Sequence, residues 1–454
     1  MKHLLLICFL IVDSAALAAD VQLLIRNPSG TSSAAYPFTV GVPFARGELE
    51  PGDSVTLVDG EGKPIPAQTL VTATWNSQRD SVRWLLLDFV TSLKPGILTL
   101  ALQTRTKVES PTVIANVATE IGDSLILDTG RIKLQINRKR FNLFDQVWGD
   151  LNQNHKLEIA EALLDAKSLR GPYIRDGNGQ EFWAVHDPKV KVIIEENGPV
   201  KAVVMAKGFY TTPDGAQYCQ FIVRITAHRG LPWVRTDQTF VFTEDSDKGH
   251  VITDLGCRLP LREQARKYAF EVVDGDVIRG SCGSRESVSL YQRDHEWFQL
   301  ARYEDAKPLG ILREGKKGTG SVSVMTGSAR ITAGVEDFWQ QFPKELSADA
   351  SGLKVHFWPD HGQKHPKWLL PENAFEKLGQ NEAIRWLYPL YWAHEGQAMS
   401  FKMPPEVAQF GDRASDTFRY VKRGRPSNGM GVAKTHRVFF DFGTAGSEPD
   451  LCPL

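Results

Sequence analysis

Apolar and polar residues alternate with a period of two along most of the chain, which is the pattern of half-buried β-strands. The alternation is clearest in short segments bounded by Gly, Pro, Asp or Asn, at residues 22–26, 38–42, 54–58, 82–89 and 97–103. It continues as a meander of strands and turns over residues 190–242. Helical periodicity is clear only at residues 372–378 and ambiguous at residues 158–169. The pattern therefore predicts an all-β protein built from barrels or sandwiches.

Two changes in composition divide this pattern into domains. A segment rich in Thr, Val and Ser at residues 104–120 marks the first boundary, and a linker-like turn near residues 347–352 marks a softer second one. A length of 454 residues also favours more than one domain. We predict one domain over residues 20–112, a second over residues 113–347, and a continuation of the second over residues 348–454.

Residues 1–19 predict a secretory signal peptide. A positive start is followed by an apolar run and by small residues suited to signal peptidase. The run is too short to span a bilayer, and no later apolar stretch reaches that length, so we expect a secreted or periplasmic protein without a membrane span. Four cysteines then remain in a compartment that permits disulfides, and the sequence does not choose among their three pairings.

The overall charge limits the partners that the protein could have. The formal net charge is −1, so no global field would attract nucleic acid or a membrane surface, and we expect neither as a partner. A polyanionic substrate would have to meet a local basic patch instead.

Residues 150–161 match the EF-hand calcium loop at most of its ligand positions. The oxygen ligands would come from the side chains of Asp150, Asn152, Asn154 and Glu161 and from the backbone carbonyl of Lys156. The departure is His155, where the pattern has glycine for a turn at positive φ. The loop predicts a structural calcium ion, the alternative being a polar surface turn.

Aromatic, basic and acidic residues are concentrated between residues 337 and 440. Exposed rings with charged groups at their rim are suited to binding saccharides, although such rings more often pack in a β core. The candidate substrate-binding residues are Trp339, Trp358, Tyr391, Trp392 and Glu395. We expect most of these rings in the core.

Four residues in the same region are candidates for catalysis. Lys434 and His436 are two apart on a predicted strand and therefore share a face, where one cation would lower the pKa of the other. Such a pair suits proton abstraction. His394 is a further candidate base, and Arg385 could hold a substrate carboxylate.

Taken together, these segments resemble the exo-rhamnogalacturonan lyase family, also called the PcRGLX/YetA-like family. The matching segments are residues 37–49, 196–203, 229–235, 239–240, 337–346, 358–360, 392–396 and 431–436. The resemblance implies an N-terminal RIFT-type β-barrel followed by a large antiparallel β-sandwich. It also implies action on pectic polysaccharide or oligosaccharide with a backbone of alternating rhamnose and galacturonate.

The reaction implied by this resemblance is β-elimination, in which a base removes the proton α to the uronate carboxylate and the glycosidic oxygen leaves. Members of the family continue into a large helical toroid, so we expect a separate helical domain or subunit to complete this chain. No organic cofactor is expected. Two alternatives stay open: a non-catalytic carbohydrate-binding protein, and a glycoside hydrolase that uses paired carboxylates such as Asp337 and Glu395.

Overall fold

The structure is a computed structural model. It describes residues 20–27, 30–105, 114–154, 156–244, 252–273, 275–360, 393–394, 397–398, 430–447 and 449. Within these residues the chain forms antiparallel β-sheets, and its helices are the short 3-10 helices Ile159–Glu161 and Ala184–His186. The prediction of an all-β protein is confirmed. The described part of the chain contains no helix that is long and apolar enough to cross a membrane.

Seven strands form the N-terminal domain, in two sheets around one core. They are β1 (Asp20–Asn27), β2 (Ser33–Pro43), β3 (Ser54–Val58), β4 (Pro64–Ile65), β5 (Ala67–Thr74), β6 (Val82–Leu93) and β7 (Gly96–Arg105). The strand orders are β1-β7-β3-β4 and β2-β6-β5. Alternation along β6 sends Leu85, Leu87 and Phe89 into a buried cluster with residues of both sheets, and this cluster is separate from the main core.

A small sheet follows, with the order β11-β10-β9-β8. Its strands are β8 (Ala118–Ile121), β9 (Ser124–Asp128), β10 (Ile132–Asn137) and β11 (Gln146–Gly149). Its apolar residues, among them Leu127 and Leu134, join the core of the large sheet system that follows. The small sheet therefore packs as part of the second domain.

The large sheet system comprises seventeen of the described strands. The first nine are β12 (Gly171–Asp176), β13 (Glu181–Trp183), β14 (Lys191–Asn197), β15 (Lys201–Thr211), β16 (Gln217–His228), β17 (Trp233–Val241), β18 (Ile252–Pro260), β19 (Lys267–Val273) and β20 (Asp276–Ser281). The next seven are β21 (Glu286–Asp294), β22 (Trp297–Glu304), β23 (Lys307–Gly315), β24 (Ser321–Met325), β25 (Ala329–Val335), β26 (Lys344–Asp349) and β27 (Gly352–Trp358). A separate hairpin is formed by β28 (Ala393–His394) and β29 (Gln397–Ala398), and β30 (Ala433–Thr444) completes the large system.

Strand pairing divides this system into two layers. The first layer runs β12-β18-β27-β26-β21-β22-β23. The second runs β14-β15-β16-β17-β30-β25-β24-β19-β20. Strand β13 joins them because it pairs with both β12 and β15. Alternate residues of both layers meet in one apolar core, as in a β-sandwich.

Strand β30 lies between strands that are far from it in sequence. It pairs with β17 on one side and with β25 on the other, and its inward residues include Val438, Phe440 and Phe442. Phe440 is fully buried and makes an edge-on contact with Phe144, at 5.9 Å between ring centroids. The second layer is therefore continuous only when β30 is in place.

Truncating Phe440 should destabilise the sandwich strongly. We expect Phe440→Ala to lower the free energy of unfolding by about 3–5 kcal/mol, because it leaves a cavity between the layers. Urea unfolding followed by tryptophan fluorescence measures the loss. The control is Val432→Ala, since Val432 is 60% exposed just before the strand and its loss should cost under about 0.5 kcal/mol. Equal effects of the two substitutions would contradict the placement of β30 in the core.

Candidate functional site

Lys434 and His436 both lie in strand β30, so the strand predicted for this pair is present. Lys434 is exposed, whereas His436 is 3% exposed and pairs across the sheet with Gln238. The imidazole of His436 stacks flat on the ring of Phe357 from the opposite layer, with ring centroids 4.6 Å apart. His436 is thus held between the two layers of the sandwich, beneath Lys434.

A second lysine, which the sequence analysis did not single out, belongs to the same site. Lys344 is the first residue of β26 and is fully buried. Its ammonium donates hydrogen bonds to the backbone carbonyls of Gln341, at 2.5 Å, and Phe357, at 3.3 Å. Lys344, Lys434 and His436 are called the lysine–histidine cluster below.

Burial lowers the pKa of every member of the lysine–histidine cluster. Burial, together with the nearby charge of Lys434, lowers the pKa of Lys344 from its usual 10.5 to about 6. Burial, with both lysines, lowers the pKa of His436 to about 2, and partial burial lowers the pKa of Lys434. Within the described part of the chain, neither lysine forms an ion pair with a carboxylate. The cluster therefore combines an accessible amine with neutral bases beneath it, which suits proton abstraction from an anionic substrate.

The other predicted site residues have different surroundings. Trp358 follows Phe357 on β27 and is 39% exposed on the outer face of its layer. Trp339 is half-buried, with the ammonium of Lys317 4.3 Å from its ring centroid. Neither ring belongs to the lysine–histidine cluster. His394 lies in the short strand β28, and the predicted residues that fall outside the described residues are Arg385, Tyr391, Trp392 and Glu395.

A second polar site, also missed from the sequence, lies on the outer face of the first layer. The hydroxyl of Tyr173 donates to Asp254 at 2.8 Å and lies 3.1 Å from Nδ1 of His356, which is itself 2.9 Å from Asp254. The guanidinium of Arg258 covers the rings of Tyr173 and Trp183, at 4.5 and 4.8 Å from their centroids. These five residues are called the Tyr173 network.

Charges within the Tyr173 network compensate one another. Burial opposes ionisation of Asp254, but His356 outweighs it and lowers the pKa of the carboxyl. Burial likewise disfavours the imidazolium of His356, and Asp254 more than offsets this, so that the pKa of His356 is raised. Arg258 and Arg175 both bind the carboxylate of Glu181, at 2.7 and 2.8 Å. The network is a closed set of partners of the kind that fixes strands to each other.

The geometry around His356 partly matches a Ser-His-Asp triad, because the hydroxyl of Ser347 lies 3.4 Å from Nε2. Acyl transfer also requires free N–H groups to stabilise an oxyanion. Strand β26, which carries Ser347, is paired on both sides, with β21 and with β27. Its backbone N–H groups are consumed in these ladders, so the arrangement does not support a hydrolase.

The three described cysteines are free thiols. Cys219 and Cys257 are buried and Cys282 is partly buried, whereas Cys452 lies outside the described residues. Burial raises the pKa of both Cys219 and Cys257 to about 12. These two thiols are therefore unreactive core residues at neutral pH.

The predicted calcium loop has the internal hydrogen bonds of such loops. The side-chain oxygens of Asp150 and Asn152 both accept the N–H of Asn154, at 2.9 and 3.0 Å, and that of Asn154 accepts the N–H of Lys156 at 2.8 Å. These contacts hold three of the predicted ligand oxygens in place along the loop.

The last predicted ligand returns to the start of the loop. Glu161 is 5% exposed, and its Oε1 accepts the N–H groups of Leu151 and Asn152 at 2.8 and 3.1 Å. Both ends of the predicted ligand set are therefore close in space. Among the described residues there is no group of three or more His, Cys, Asp or Glu that could hold a metal, so the oxygens of amides and backbone would have to complete the shell.

Two family descriptions match the chain. Residues 22–91 match the PcRGLX-like N-terminal RIFT barrel domain, and residues 117–270 match the PcRGLX-like protein central beta sandwich domain. The predicted resemblance is confirmed over these residues, and so are the barrel and the sandwich. No curated protein matches the chain.

Two solved structures match the chain weakly. One is a protein in glycosyl hydrolase family 38 from Enterococcus faecalis, with 12% identity, a TM-score of 0.47, and coverage of 94% of this chain and 45% of that chain. The other is an alpha-mannosidase from Enterococcus faecalis V583, with 11% identity, a TM-score of 0.43, and coverage of 94% and 43%. The chain spans less than half the length of either protein. Likeness at this level carries no argument about function.

Lys344 should give the protein a characteristic dependence of stability on pH. Its amine is neutral above about pH 6 when folded and protonated up to about pH 10.5 when unfolded, so unfolding takes up a proton between these values. The free energy of unfolding should therefore rise with pH across this window, by up to about 1.4 kcal/mol per pH unit from this group. Lys344→Met should remove this contribution in urea titrations at several pH values.

The exposed Lys139 offers a matched control for this prediction, since its side chain is 75% exposed. Lys139→Met should leave the pH dependence of the wild-type protein unchanged. Parallel pH profiles for wild type and Lys344→Met would contradict the burial of an uncharged amine.

We propose that the loop of residues 150–161 binds calcium. Calorimetry with protein stripped by EDTA should give saturable heat with calcium, and Glu161→Gln should weaken binding at least tenfold because it removes the charge of the predicted bidentate ligand. Asp150→Asn, at the opposite end of the ligand set, should have a similar effect, whereas Glu263→Gln, outside the loop, should have none. Absence of heat with the stripped wild-type protein would overturn the proposal.

Proposed function

We propose that the chain is an exported protein that cleaves rhamnogalacturonan by β-elimination at galacturonate. The family supports this proposal, because the chain carries the N-terminal RIFT barrel and the central β-sandwich domains of PcRGLX-like proteins. The observation that carries the proposal is the lysine–histidine cluster. It supplies one property that elimination from a uronate requires, an accessible base whose pKa is lowered.

Lys434 is the proposed base. It is the exposed member of the cluster, and its lowered pKa increases the fraction of neutral amine at a given pH. The amine would take the proton from the carbon α to the galacturonate carboxylate. The electron pair left behind forms the new double bond as the glycosidic oxygen departs with its bonding pair, so that atoms and charge balance.

His436 and Lys344 are proposed as positioning residues. Both are buried and neither reaches the surface, so they would act through Lys434. Both are largely neutral at physiological pH, so they offer Lys434 no negative charge that would stabilise its ammonium form. Arg385, outside the described residues, is the proposed direct partner of that carboxylate.

Carbohydrate binding without turnover is the second candidate. The partial exposure of Trp358 at 39% favours it, because an indole at the surface can contact a sugar whether or not a base lies nearby. In that case a separate helical domain or subunit would be needed for any chemistry.

The product distinguishes these functions. With rhamnogalacturonan as substrate we expect release of an unsaturated uronate, followed by its ultraviolet absorbance, and we expect Lys434→Ala to reduce the rate by about 10²–10⁴-fold. The rate should rise with pH as Lys434 loses its proton. Lys139→Ala, which removes a well-exposed lysine from the segment after β10, should retain full activity.

Three other outcomes are informative. New reducing ends without absorbance would indicate a hydrolase. Binding without either product would favour the second candidate. Full elimination activity in Lys434→Ala would contradict the assignment of the base.

A further inference from the structure

The junction between barrel and sandwich is built from buried charged groups. Lys201 of β15 is 9% exposed, and its ammonium contacts Asp88 of β6 at 3.0 Å and Glu196 at 2.9 Å. Asp88 is 1% exposed and also accepts the hydroxyl of Thr39. Because breaking such a pair would leave an uncompensated buried charge, the two domains are held in one arrangement at this point.

Gln68 of β5 completes the junction. Its Oε1 accepts the N–H groups of Val200 and Lys201, at 3.3 and 3.0 Å, and its Nε2 donates to Glu196 at 2.9 Å. Gly198 makes room for this side chain, since a Cβ at that position would lie 2.2 Å from Oε1 of Gln68. The amide is thus fixed across the two domains.

A groove of about 540 Å³ lies directly beside this junction. Residues 67–70 of β5 line one side, and Asn116 with residues 195–199 line the other. Its size is within the range of small-molecule sites, which often occur where two domains meet. The fixed arrangement of the domains means that the groove is preformed.

The chemistry of the groove favours an uncharged ligand. Its two carboxylates already have cations, because Glu195 forms two hydrogen bonds with Arg224, at 2.7 and 2.9 Å, and Glu196 binds Lys201. The remaining lining offers the amide of Asn116 and backbone groups, which match the hydroxyl groups of a sugar. An anionic ligand would meet the carboxylates without gaining a free cation.

An exposed indole extends the groove along the barrel. Leu70, which lines the groove, is 52% exposed and pairs with Leu86, and Trp84 is two residues from Leu86 on the same face of β6. Two residues of strand span about 7 Å, or roughly one sugar ring. Trp84 is 42% exposed and lies over Gly41, so its ring is held flat on the sheet with one face open.

We propose that the groove and Trp84 form a binding site for an uncharged saccharide unit, with the sugar ring stacked on the indole and its hydroxyl groups directed to the groove. The inference deepens the proposed function and rests on it for the ligand, since rhamnose is the uncharged unit of rhamnogalacturonan. The site is lined by residues of both domains and involves none of the lysine–histidine cluster.

Two substitutions test the site. Trp84→Ala should weaken binding of a rhamnogalacturonan oligosaccharide about tenfold, measured by calorimetry, because it removes the stacking face. Leu70→Arg should weaken it similarly by obstructing the groove, since Leu70 lines the groove, is 52% exposed and shares the outer face of the sheet with Trp84. A galacturonate homopolymer fragment of equal length lacks the uncharged unit, so neither substitution should weaken its binding.

Trp75→Ala is the matched control. Trp75 is 43% exposed on the same barrel, but Arg83 lies over its ring at 5.0 Å and its indole N–H donates to the carbonyl of Phe44. Its loss should leave saccharide binding unchanged. Melting temperatures of all three variants establish that they are folded.

The possible results separate this inference from the proposed reaction. Binding that depends on Trp84 and Leu70 in a protein without elimination activity would retain the site and overturn the reaction. Elimination with a KM that neither substitution changes would retain the reaction and overturn the site. Absence of any binding to the oligosaccharide would overturn the site as well.

Discussion

The insertion of β30 between β17 and β25 is the constraint on which the second domain depends. Its two partners are about 200 and 100 residues earlier in the chain, and they pair with β30 on opposite sides. The same strand supplies inward aromatic residues to the common core and carries Lys434 and His436 near its N-terminal end. Folding of the sandwich and assembly of the lysine–histidine cluster are therefore a single event, because non-local pairing has to be complete before either exists.

The two polar sites of the sandwich differ in how their charges are compensated. In the Tyr173 network each ionised group has a partner of opposite charge, and the pKa values of Asp254 and His356 shift in the directions that strengthen the pair. In the lysine–histidine cluster basic groups face one another and are driven toward their neutral forms. Structural ion pairs account for the first pattern, whereas unpaired bases beside an exposed amine are costly and are typical of functional sites.

The junction of the two domains also consists of charges that compensate one another, as in the Tyr173 network. Asp88, Lys201 and Glu196 compensate one another in a buried position, so the barrel cannot rotate freely on the sandwich. A rigid junction preserves the groove beside it and its alignment with Trp84. The proposed saccharide site thus depends on the same kind of charge pairing that stabilises the fold, while the proposed reaction depends on its absence.

The sequence by itself determined the β architecture, the meander now formed by β14 to β17, the two PcRGLX-like domains, and the strand that carries Lys434 and His436. These follow from local periodicity, because alternate residues of a strand share a face whatever the strand pairs with. Only the tertiary structure decided that Lys344 is buried near His436, or that Tyr173, Asp254 and His356 meet. Asp254 and His356 are 81 and 183 positions from Tyr173 along the chain. Their contact depends on which strands become neighbours and in which register. No local pattern encodes that choice, since register is set by the packing of the whole core.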